Sequence, residues 1–346
     1  MEFNALVSSI SFTKSGAKAL HTAATPQEVT FFAPRAPHVQ FEFRVRPFPP
    51  IPSSVLALPQ RWKYKPLLDP SVDDAPKFCM NLRKLAQDEC CLFYYNGHGS
   101  PKPTASGELW VFNKSYSQYI PVSLWDLQNW LGSPCIYVWD TSSAGHLLSN
   151  FVCVAKQQDM DLRTVQGGYL EDVAPFEESL QLATCLADKQ LPMCPDLPAD
   201  LFTACLTSPI KTAMWWFLLK SSNLPTGITI DMVMQIPGDL KDCHMPLGEL
   251  NWIFTTITDT IAWMTFPLET FKKLFQQDLL IATLFQNYLL VERIMKNYHC
   301  TPHTSPALPP TNTHLMSASW DLAVDACITQ LPHLLLTHNA DGEPIP

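Results

Sequence analysis

Two short apolar runs along the chain predict buried strands of a parallel sheet. The first covers 90–95 and the second covers 135–139, and each is followed at once by glycine or polar residues. An unbroken apolar run of this length is typical of a strand that is covered on both faces. Because ligand and catalytic groups lie beyond the carboxyl ends of parallel strands, the residues that follow these runs are the first candidates for a site.

The residues around these runs predict helices and a hairpin. Apolar side chains at helical spacing predict a helix over 73–87, and the segments 108–112 and 119–122 flank a polar turn. Ser123 is the expected N-cap of a further helix, and Gly132 is expected to end it. This order of helices and strands predicts an α/β domain with a mainly parallel sheet and flanking helices.

Three other stretches complete the N-terminal part of the prediction. Alternating apolar and polar residues over 39–45 predict a half-buried strand, within a segment 1–58 that is otherwise rich in proline and poorly defined. The polar, acidic stretch 156–179 is predicted to be a loop, and 181–185 is predicted to be a strand.

The C-terminal part of the chain has helical periodicity. Pro209 and Pro246 are expected at the first positions of two helices, and a longer helix is predicted over 267–298. Trp252 and Trp263 stand at helical spacing, so we expect both side chains in the core. Successive helices with short links predict an all-α helical region, which is either a helical bundle or the start of an α-solenoid.

A proline-rich loop then leads to a last predicted helix around Trp320. The chain therefore divides by pattern into three parts. These are the poorly defined N-terminal segment 1–58, the α/β domain 59–205 and the helical region 206–346.

Composition narrows the function classes. The 346 residues carry a formal net charge of −9, which gives no support to non-specific nucleic-acid binding. Apolar residues make up 47%, which is enough for a sizeable core, yet no apolar window is long enough to predict a membrane span. The 11 cysteines are scattered without a CxxC pair, so we expect reduced thiols and a cytoplasmic location.

The residues after the two predicted strands form a candidate cleft. A histidine after one strand and a nucleophile after the next is the layout of caspase-like cysteine proteases, where the histidine activates a cysteine thiolate. The alternative is a structural histidine in a turn, and spacing alone leaves both open. The cleft is predicted from Asn96, Gly97, His98, Gly99, Asp140, Thr141 and Ser142.

The expected nucleophile position argues against catalysis. It carries Thr141, whose hydroxyl is far harder to deprotonate than a thiol, and an internal threonine has no N-terminal amine to act as its base. Ser142 is a neighbouring hydroxyl, but successive residues point in different directions. His299, Cys300 and His303 are too few for a metal site, and no phosphate-binding glycine loop occurs, so we expect no metal and no cofactor.

Several long strings resemble the N-terminal caspase-like domain of the Raptor family and the start of the helical solenoid that follows it. They extend over most of the chain and are more specific than general fold motifs. The strings lie at 93–99, 108–114, 132–134, 191–193, 195–202, 246–254, 277–280 and 320–323.

The resemblance implies a scaffold subunit of TOR complex 1 and not an enzyme. Family members bind the TOR kinase, recruit substrates that carry a TOR-signalling motif, and link the complex to lysosomal GTPases. It therefore implies a cytoplasmic protein that is recruited to the lysosome surface. Members commonly carry cysteine where this chain has Thr141, which implies a pseudo-protease. The alternatives are a residual hydrolase that uses His98, or a truncated, non-functional fragment.

Overall fold

The computed structural model describes residues 40–45, 63–87, 89–165, 174–192, 194, 197, 199–221, 228–240 and 242–340. The predictions for 1–39 and 46–58 lie outside the described residues. The chain divides into two compact units. The α/β unit lies within 13–191 and 302–307, and the helical unit lies within 192–301 and 308–346. The domain boundary expected between residues 205 and 206 stays a prediction.

The α/β unit is built on a six-stranded mixed sheet with a parallel centre. Its strand order is β2-β1-β3-β6-β7-β8, in which β3, β6 and β7 run parallel and the remaining neighbours pair antiparallel. The hairpin β4-β5 stands as a separate two-stranded sheet. The strands are β1 Gln40–Val45, β2 Lys63–Leu68, β3 Cys91–Asn96, β4 Leu109–Phe112, β5 Tyr119–Val122, β6 Cys135–Asp140, β7 Leu180–Ala183 and β8 His303–Ser305.

The two apolar runs of the sequence form the centre of this sheet, as predicted. Strands β3 and β6 are adjacent and parallel, with Asn96 opposite Asp140 at their carboxyl ends. The predicted strand over 39–45 is β1, which fills the place between β2 and β3. These pairings confirm the α/β class and bring the two polar strand ends to one edge of the sheet.

Helices α1 Asp74–Ala86, α2 Leu124–Leu131 and α3 Gly145–Val165 flank the sheet. The Ser123 hydroxyl accepts a hydrogen bond from the Asp126 backbone N–H and so caps α2, as the sequence predicts. Gly132, with a φ of 63°, ends that helix. The predicted helix over 73–87 corresponds to α1.

An aromatic cluster fixes one face of the central strands. Phe93 lies edge-on to Tyr137 and to Trp139, with ring centroids 5.9 and 5.8 Å apart, and Phe151 of α3 packs on Tyr137 at 4.6 Å. All four side chains are almost fully buried. Large aromatic side chains supply much of the burial energy of a core, so this cluster anchors β3 and β6 against α3.

The loop predicted over 156–179 is wrong for its first part, because α3 continues to Val165. The polar residues that suggested a loop include Gln158 and Asp159, which are buried with partners. Gln158 Nε2 donates to the Trp125 carbonyl at 3.0 Å. The Asp159 carboxylate accepts from the Phe176 and Glu177 N–H groups, so the buried acidic group of this helix is hydrogen-bonded to distant backbone.

The sequence analysis also did not predict one three-residue strand. Residues 303–305 form β8 and pair antiparallel with β7, although the flanking prolines predicted a loop. A strand this short has no readable alternation, and its partner lies far away along the chain. Only the three-dimensional pairing identifies it.

The helical unit contains the helices predicted for the C-terminal part of the chain. The single long helix predicted over 267–298 is wrong, because Asp278 caps a new helix within that stretch through the N–H groups of Leu280 and Ile281. A π-turn at Lys272–Gln276 precedes that break. The helices are α4 Leu201–Thr207, α5 Pro209–Lys220, α6 Ile230–Met234, α7 Pro246–Thr265, α8 Leu268–Phe271, α9 Leu279–Met295 and α10 Ser317–Ala340.

The expectation that Trp252 and Trp263 lie in the core is wrong. Their side chains are 64% and 57% exposed. Helix α7 buries the opposite side, which includes Phe254, Ile257 and Ile261. The helix is therefore apolar on two faces, and only one of them packs inside the unit. Among the described residues, no helix has the length and hydropathy needed to cross a membrane.

Candidate functional site

The candidate site lies at the carboxyl ends of β3 and β6 and is organised around one buried carboxylate. Asp140 ends β6 with no exposed surface. Its Oδ1 lies 2.9 Å from His98 Nε2, and its Oδ2 accepts a 2.6 Å hydrogen bond from the Tyr94 hydroxyl. A buried carboxylate is stable only when hydrogen-bonded or paired, and both oxygens meet that condition here.

The strand register explains this arrangement. Asn96 pairs with Asp140 across the parallel ladder, and Tyr94, two residues earlier, projects from the same face of β3. The chain then turns at Gly97, whose N–H donates to the Asp140 carbonyl at 2.9 Å. The Asn96 side-chain oxygen accepts from the His98 N–H at 3.2 Å, which holds the imidazole over the strand end.

Gly97 is required for a close approach between the two strand ends. A Cβ atom at this position would lie 2.9 Å from Thr141 Oγ1 and 2.6 Å from the Tyr95 ring. Such contacts are closer than packed atoms tolerate, so a larger residue would push the His98 turn away from β6. The following Gly99 has a φ of 85°, which favours glycine for conformational reasons.

Thr141 follows Asp140 at the end of β6, and its hydroxyl is directed at the next residue of the chain. Its side chain is 3% exposed, and its hydroxyl contacts the Ser142 carbonyl at 3.4 Å. Its carbonyl accepts a 2.6 Å hydrogen bond from the Thr184 hydroxyl. The backbone at the expected nucleophile position is thus hydrogen-bonded to the residue that follows β7.

Ser142 also has a structural partner. Its hydroxyl accepts a hydrogen bond from the Leu191 N–H at 3.1 Å. The next residue, Ser143, adopts a φ of 60° and donates its N–H to the Lys189 carbonyl at 2.9 Å. These bonds tie the turn after β6 to residues 184–191, so the second hydroxyl candidate serves as an anchor for a neighbouring loop.

The structure brings part of the predicted cleft together. His98 and Asp140 form one hydrogen-bonded pair, with Asn96 and Gly97 supporting it, whereas Thr141 and Ser142 are engaged by the β7 side of the sheet. Sequence reasoning missed Tyr94 and Thr184. Tyr94 shares its strand face with Asn96, and that alternation is the signal that could have pointed to it.

Comparisons with known proteins relate the chain to one family. Residues 54–151 match the family model described as the Raptor N-terminal CASPase-like domain. The chain carries the N-terminal caspase-like domain of the Raptor family. A solved structure of Chaetomium thermophilum Raptor superposes with a TM-score of 0.70 at 50% sequence identity, covering 77% of this chain and 23% of that one.

Curated relatives extend the match beyond the caspase-like domain. The Target of rapamycin complex 1 subunit mip1 of Schizosaccharomyces pombe is 52% identical over 280 residues, which is 80% of this chain and 21% of that protein. The raptor homolog of Dictyostelium discoideum is 43% identical over 350 residues, or 82% of this chain and 23% of that protein. The chain thus spans about a fifth of the length of these Raptor relatives.

Proposed function

We propose that this chain acts as a non-catalytic scaffold in TOR complex 1, where it binds the TOR kinase and presents substrates to it in nutrient-dependent growth signalling. The observation that carries the proposal is the 52% identity, over 80% of the chain, to a protein named as a subunit of that complex. The likeness covers both the α/β and the helical parts of the chain, so it involves more than a shared fold.

The chemistry of the site supports binding without catalysis. A cysteine-protease dyad needs a thiol within hydrogen-bond reach of a histidine nitrogen. Here the Nε2 atom of His98 is paired with Asp140, and the expected nucleophile position carries the buried hydroxyl of Thr141. We therefore regard the cleft at Asn96–Gly99 and Asp140–Ser142 as a pseudo-active site that stabilises the strand ends.

The proposed partners follow from the family. They are the TOR kinase, substrates that carry a TOR-signalling motif, and lysosomal GTPases that recruit the complex from the cytoplasm to the lysosome surface. The net charge of −9 gives no support to a nucleic-acid partner.

A chimera tests the scaffold role in an assembled complex. This chain replaces the matching segment of the full-length fission yeast subunit, and TOR kinase is measured in pull-downs of the tagged chimera. We expect kinase recovery close to that of the unmodified subunit, and equal recovery with His98→Ala once the folded fraction is matched. A folded chimera that leaves the kinase behind would contradict the proposal.

A cleavage screen tests the absence of catalysis separately. The purified chain and its His98→Ala variant are incubated with a mixed peptide library, and products are followed by mass spectrometry. We expect no cleavage from either protein. Cleavage that disappears in His98→Ala would favour the hydrolase alternative, even if the chimera assembled normally.

A further inference from the structure

Helix α7 presents an apolar outer face that stays exposed among the described residues. Trp252, Thr256, Thr260 and Trp263 lie on this outer face, and the two tryptophans are about 16 Å apart along the helix axis. Both indole side chains are more than half exposed, although Trp263 also lies edge-on to Phe271. A contiguous exposed apolar patch marks an interaction site more often than a solvated helix surface.

The threonines of the outer face add to its apolar character. The Thr256 hydroxyl donates to the Trp252 carbonyl at 2.9 Å, and the Thr260 hydroxyl donates to the Thr256 carbonyl at 2.8 Å. With the hydroxyls turned back onto the helix, the methyl groups share the surface with the indole rings. The face between the tryptophans therefore needs few new hydrogen bonds when an apolar segment covers it.

One charged residue occurs between the two tryptophans in the sequence, and it is turned inward. Asp259 is half-buried, and its Oδ1 accepts a 2.8 Å hydrogen bond from Gln286 of α9. A solvated helix surface normally carries several charges in three turns. The central part of the outer face is therefore suited to an occupant that presents apolar side chains.

The sequence of residues 3–14, which lie outside the described residues, fits this face. Phe3, Leu6, Val7 and Ile10 follow the i, i+3, i+4, i+7 spacing of an amphipathic helix. Polar or small residues occupy the positions between them. The apolar side chains would therefore form one stripe along a helix, and such a stripe needs an apolar surface to pack against.

The charges of this segment and of α7 are complementary. Residues 3–27 contain no acidic residue, and the apolar stripe is followed by Lys14 and Lys18. At the start of α7, Asp242 and Glu249 are exposed, and Glu249 continues the line of the outer face along the helix. An antiparallel arrangement brings the basic end of the segment to the acidic start of α7, and this complementarity fixes the direction of the contact.

The connection to the rest of the chain is long enough for this contact. Residues 15–39 separate the segment from β1 and can span at most about 85 Å when extended. A folded chain of 346 residues has a radius of gyration of about 20 Å. The outer face of α7 is therefore within reach of the segment wherever that face lies on the surface.

We propose that residues 3–14 of this chain cover the outer face of α7 as an antiparallel amphipathic helix. The segment is as long, in residues, as the stretch between the two tryptophans. Phe3 therefore packs beside Trp263 at one end. At the other end Lys14 lies over the ring of Trp252, where a cation is attracted to the indole face. The apolar stripe covers the threonine methyl groups between them.

The covalent connection makes a small contact sufficient. The exposed parts of the two tryptophans offer roughly 250 Å². An interface between separate molecules takes about 800 Å² per partner, so this face alone is too small to hold a second molecule. A tethered segment instead has an effective concentration on the order of 1 mM. A contact with a dissociation constant of about 100 μM is then about 90% formed.

Hydroxyl-radical footprinting of the full chain tests the proposal, with the oxidation rates of Trp252 and Trp263 as the readout. We expect Leu6→Glu to raise both rates at least about 3-fold, because a face that is about 90% covered becomes free. Ser8→Glu is the matched control, since Ser8 lies on the opposite side of the helix from the stripe, and it should leave both rates unchanged. The oxidation rate of Trp125 on α2, which is 39% exposed, should be the same in every variant.

A peptide added in trans and a dilution series identify the occupant. A synthetic peptide of residues 1–20, added to the Leu6→Glu variant in excess over its dissociation constant, should restore the protection of both tryptophans. The protection in the original chain should not depend on protein concentration, because the contact is intramolecular. Three results would each overturn the proposal: unchanged oxidation in Leu6→Glu, no restoration by the peptide, or protection that disappears on dilution, which would indicate a second copy.

Charge reversal tests the antiparallel direction. Glu249→Lys alone should increase the oxidation of Trp252, and so should Lys14→Glu combined with Lys18→Glu. All three changes together should restore the protection, because opposite charges again face each other at the start of α7. A triple variant that stays as reactive as the others would contradict the antiparallel arrangement and with it the proposal.

Discussion

The Tyr94 hydroxyl donates a 2.6 Å hydrogen bond to Oδ2 of Asp140, and both side chains are buried. The bond joins two neighbouring parallel strands near their carboxyl ends, at the level where His98 contacts the other carboxylate oxygen. A hydrogen bond to an ionised group contributes more to stability than one between neutral groups. The pair is therefore expected to be a major support of the strand ends.

Tyr94→Phe should lower the free energy of unfolding by about 1.5–3 kcal/mol, because it removes a hydrogen bond to a buried carboxylate. Tyr137→Phe is the matched control. Tyr137 is also buried, but within the described part of the chain its hydroxyl has no charged hydrogen-bond partner. We expect that change to alter stability by less than about 0.5 kcal/mol. Equal losses in urea denaturation would contradict the role given to Asp140.

A cysteine introduced at position 141 should react slowly. Thr141 is 3% exposed, and His98 Nε2 is held by Asp140, so a thiol there would lack both access and a nearby base. In Thr141→Cys treated with iodoacetamide under native conditions, peptide mapping should show modification at the exposed Cys153 and Cys243 first. Modification of position 141 at the rate of Cys153 would instead indicate an activated thiol.

The native buried cysteines provide an internal reference for that experiment. Burial raises the pKa of the Cys91 thiol to about 11, and it also raises the pKa of Cys135 and Cys205. A raised folded-state pKa means that the reactive thiolate is scarce at neutral pH and increases only as the pH approaches that value. These thiols should stay unmodified until the chain unfolds.

The sequence predicts the central strands and the helices α1 and α2 well, because each has a strong local signal. Apolar runs stopped by polar residues mark β3 and β6, and the Ser123 cap marks the start of α2. The sequence also predicts that His98 lies near the end of β6, because neighbouring parallel strands have their carboxyl ends at the same edge of the sheet. Periodicity alone does not predict which hydrogen-bond partner each side chain has.

The errors arise where long-range packing decides the outcome. Helix α7 is apolar on two faces, and periodicity does not reveal which face is covered, so the sequence wrongly predicts Trp252 and Trp263 in the core. Gln158 Nε2 and the Asp159 carboxylate are buried on a helix, where their hydrogen-bond partners are distant backbone groups. In each of these places the deciding group lies far away in the sequence.

Trp320 and Leu322, on the same helix, separate core from surface in the helical unit. Trp320 is 3% exposed and lies edge-on to Phe254 at 5.4 Å, whereas Leu322 is 72% exposed. Trp320→Ala should cost about 3–5 kcal/mol of unfolding free energy, through lost burial and the cavity left behind. Leu322→Ala should cost less than about 0.5 kcal/mol. Similar losses for both would mean that α10 packs through a different face.

Asp259 should make the stability of the helical unit depend on pH. Burial raises its pKa above the ordinary value of 3.8, although the hydrogen bond from Gln286 lowers it in part. Because the folded state then holds the proton more tightly than the unfolded state, stability decreases as the pH rises from the ordinary carboxyl pKa through the folded one. The cost of the buried charge is fully present above that window.

Asp259→Asn should therefore raise the melting temperature at neutral pH, since an asparagine oxygen can still accept from Gln286 and no charge is buried. The gain should shrink toward zero below the ordinary carboxyl pKa, where Asp259 is protonated in both states. Asp325→Asn, at an exposed position on α10, is the control for removing one acidic charge. Melting curves of dilute protein at several pH values provide the measurement. A difference between Asp259→Asn and the original chain that stays constant with pH would show that ionisation of Asp259 carries no cost in the folded state.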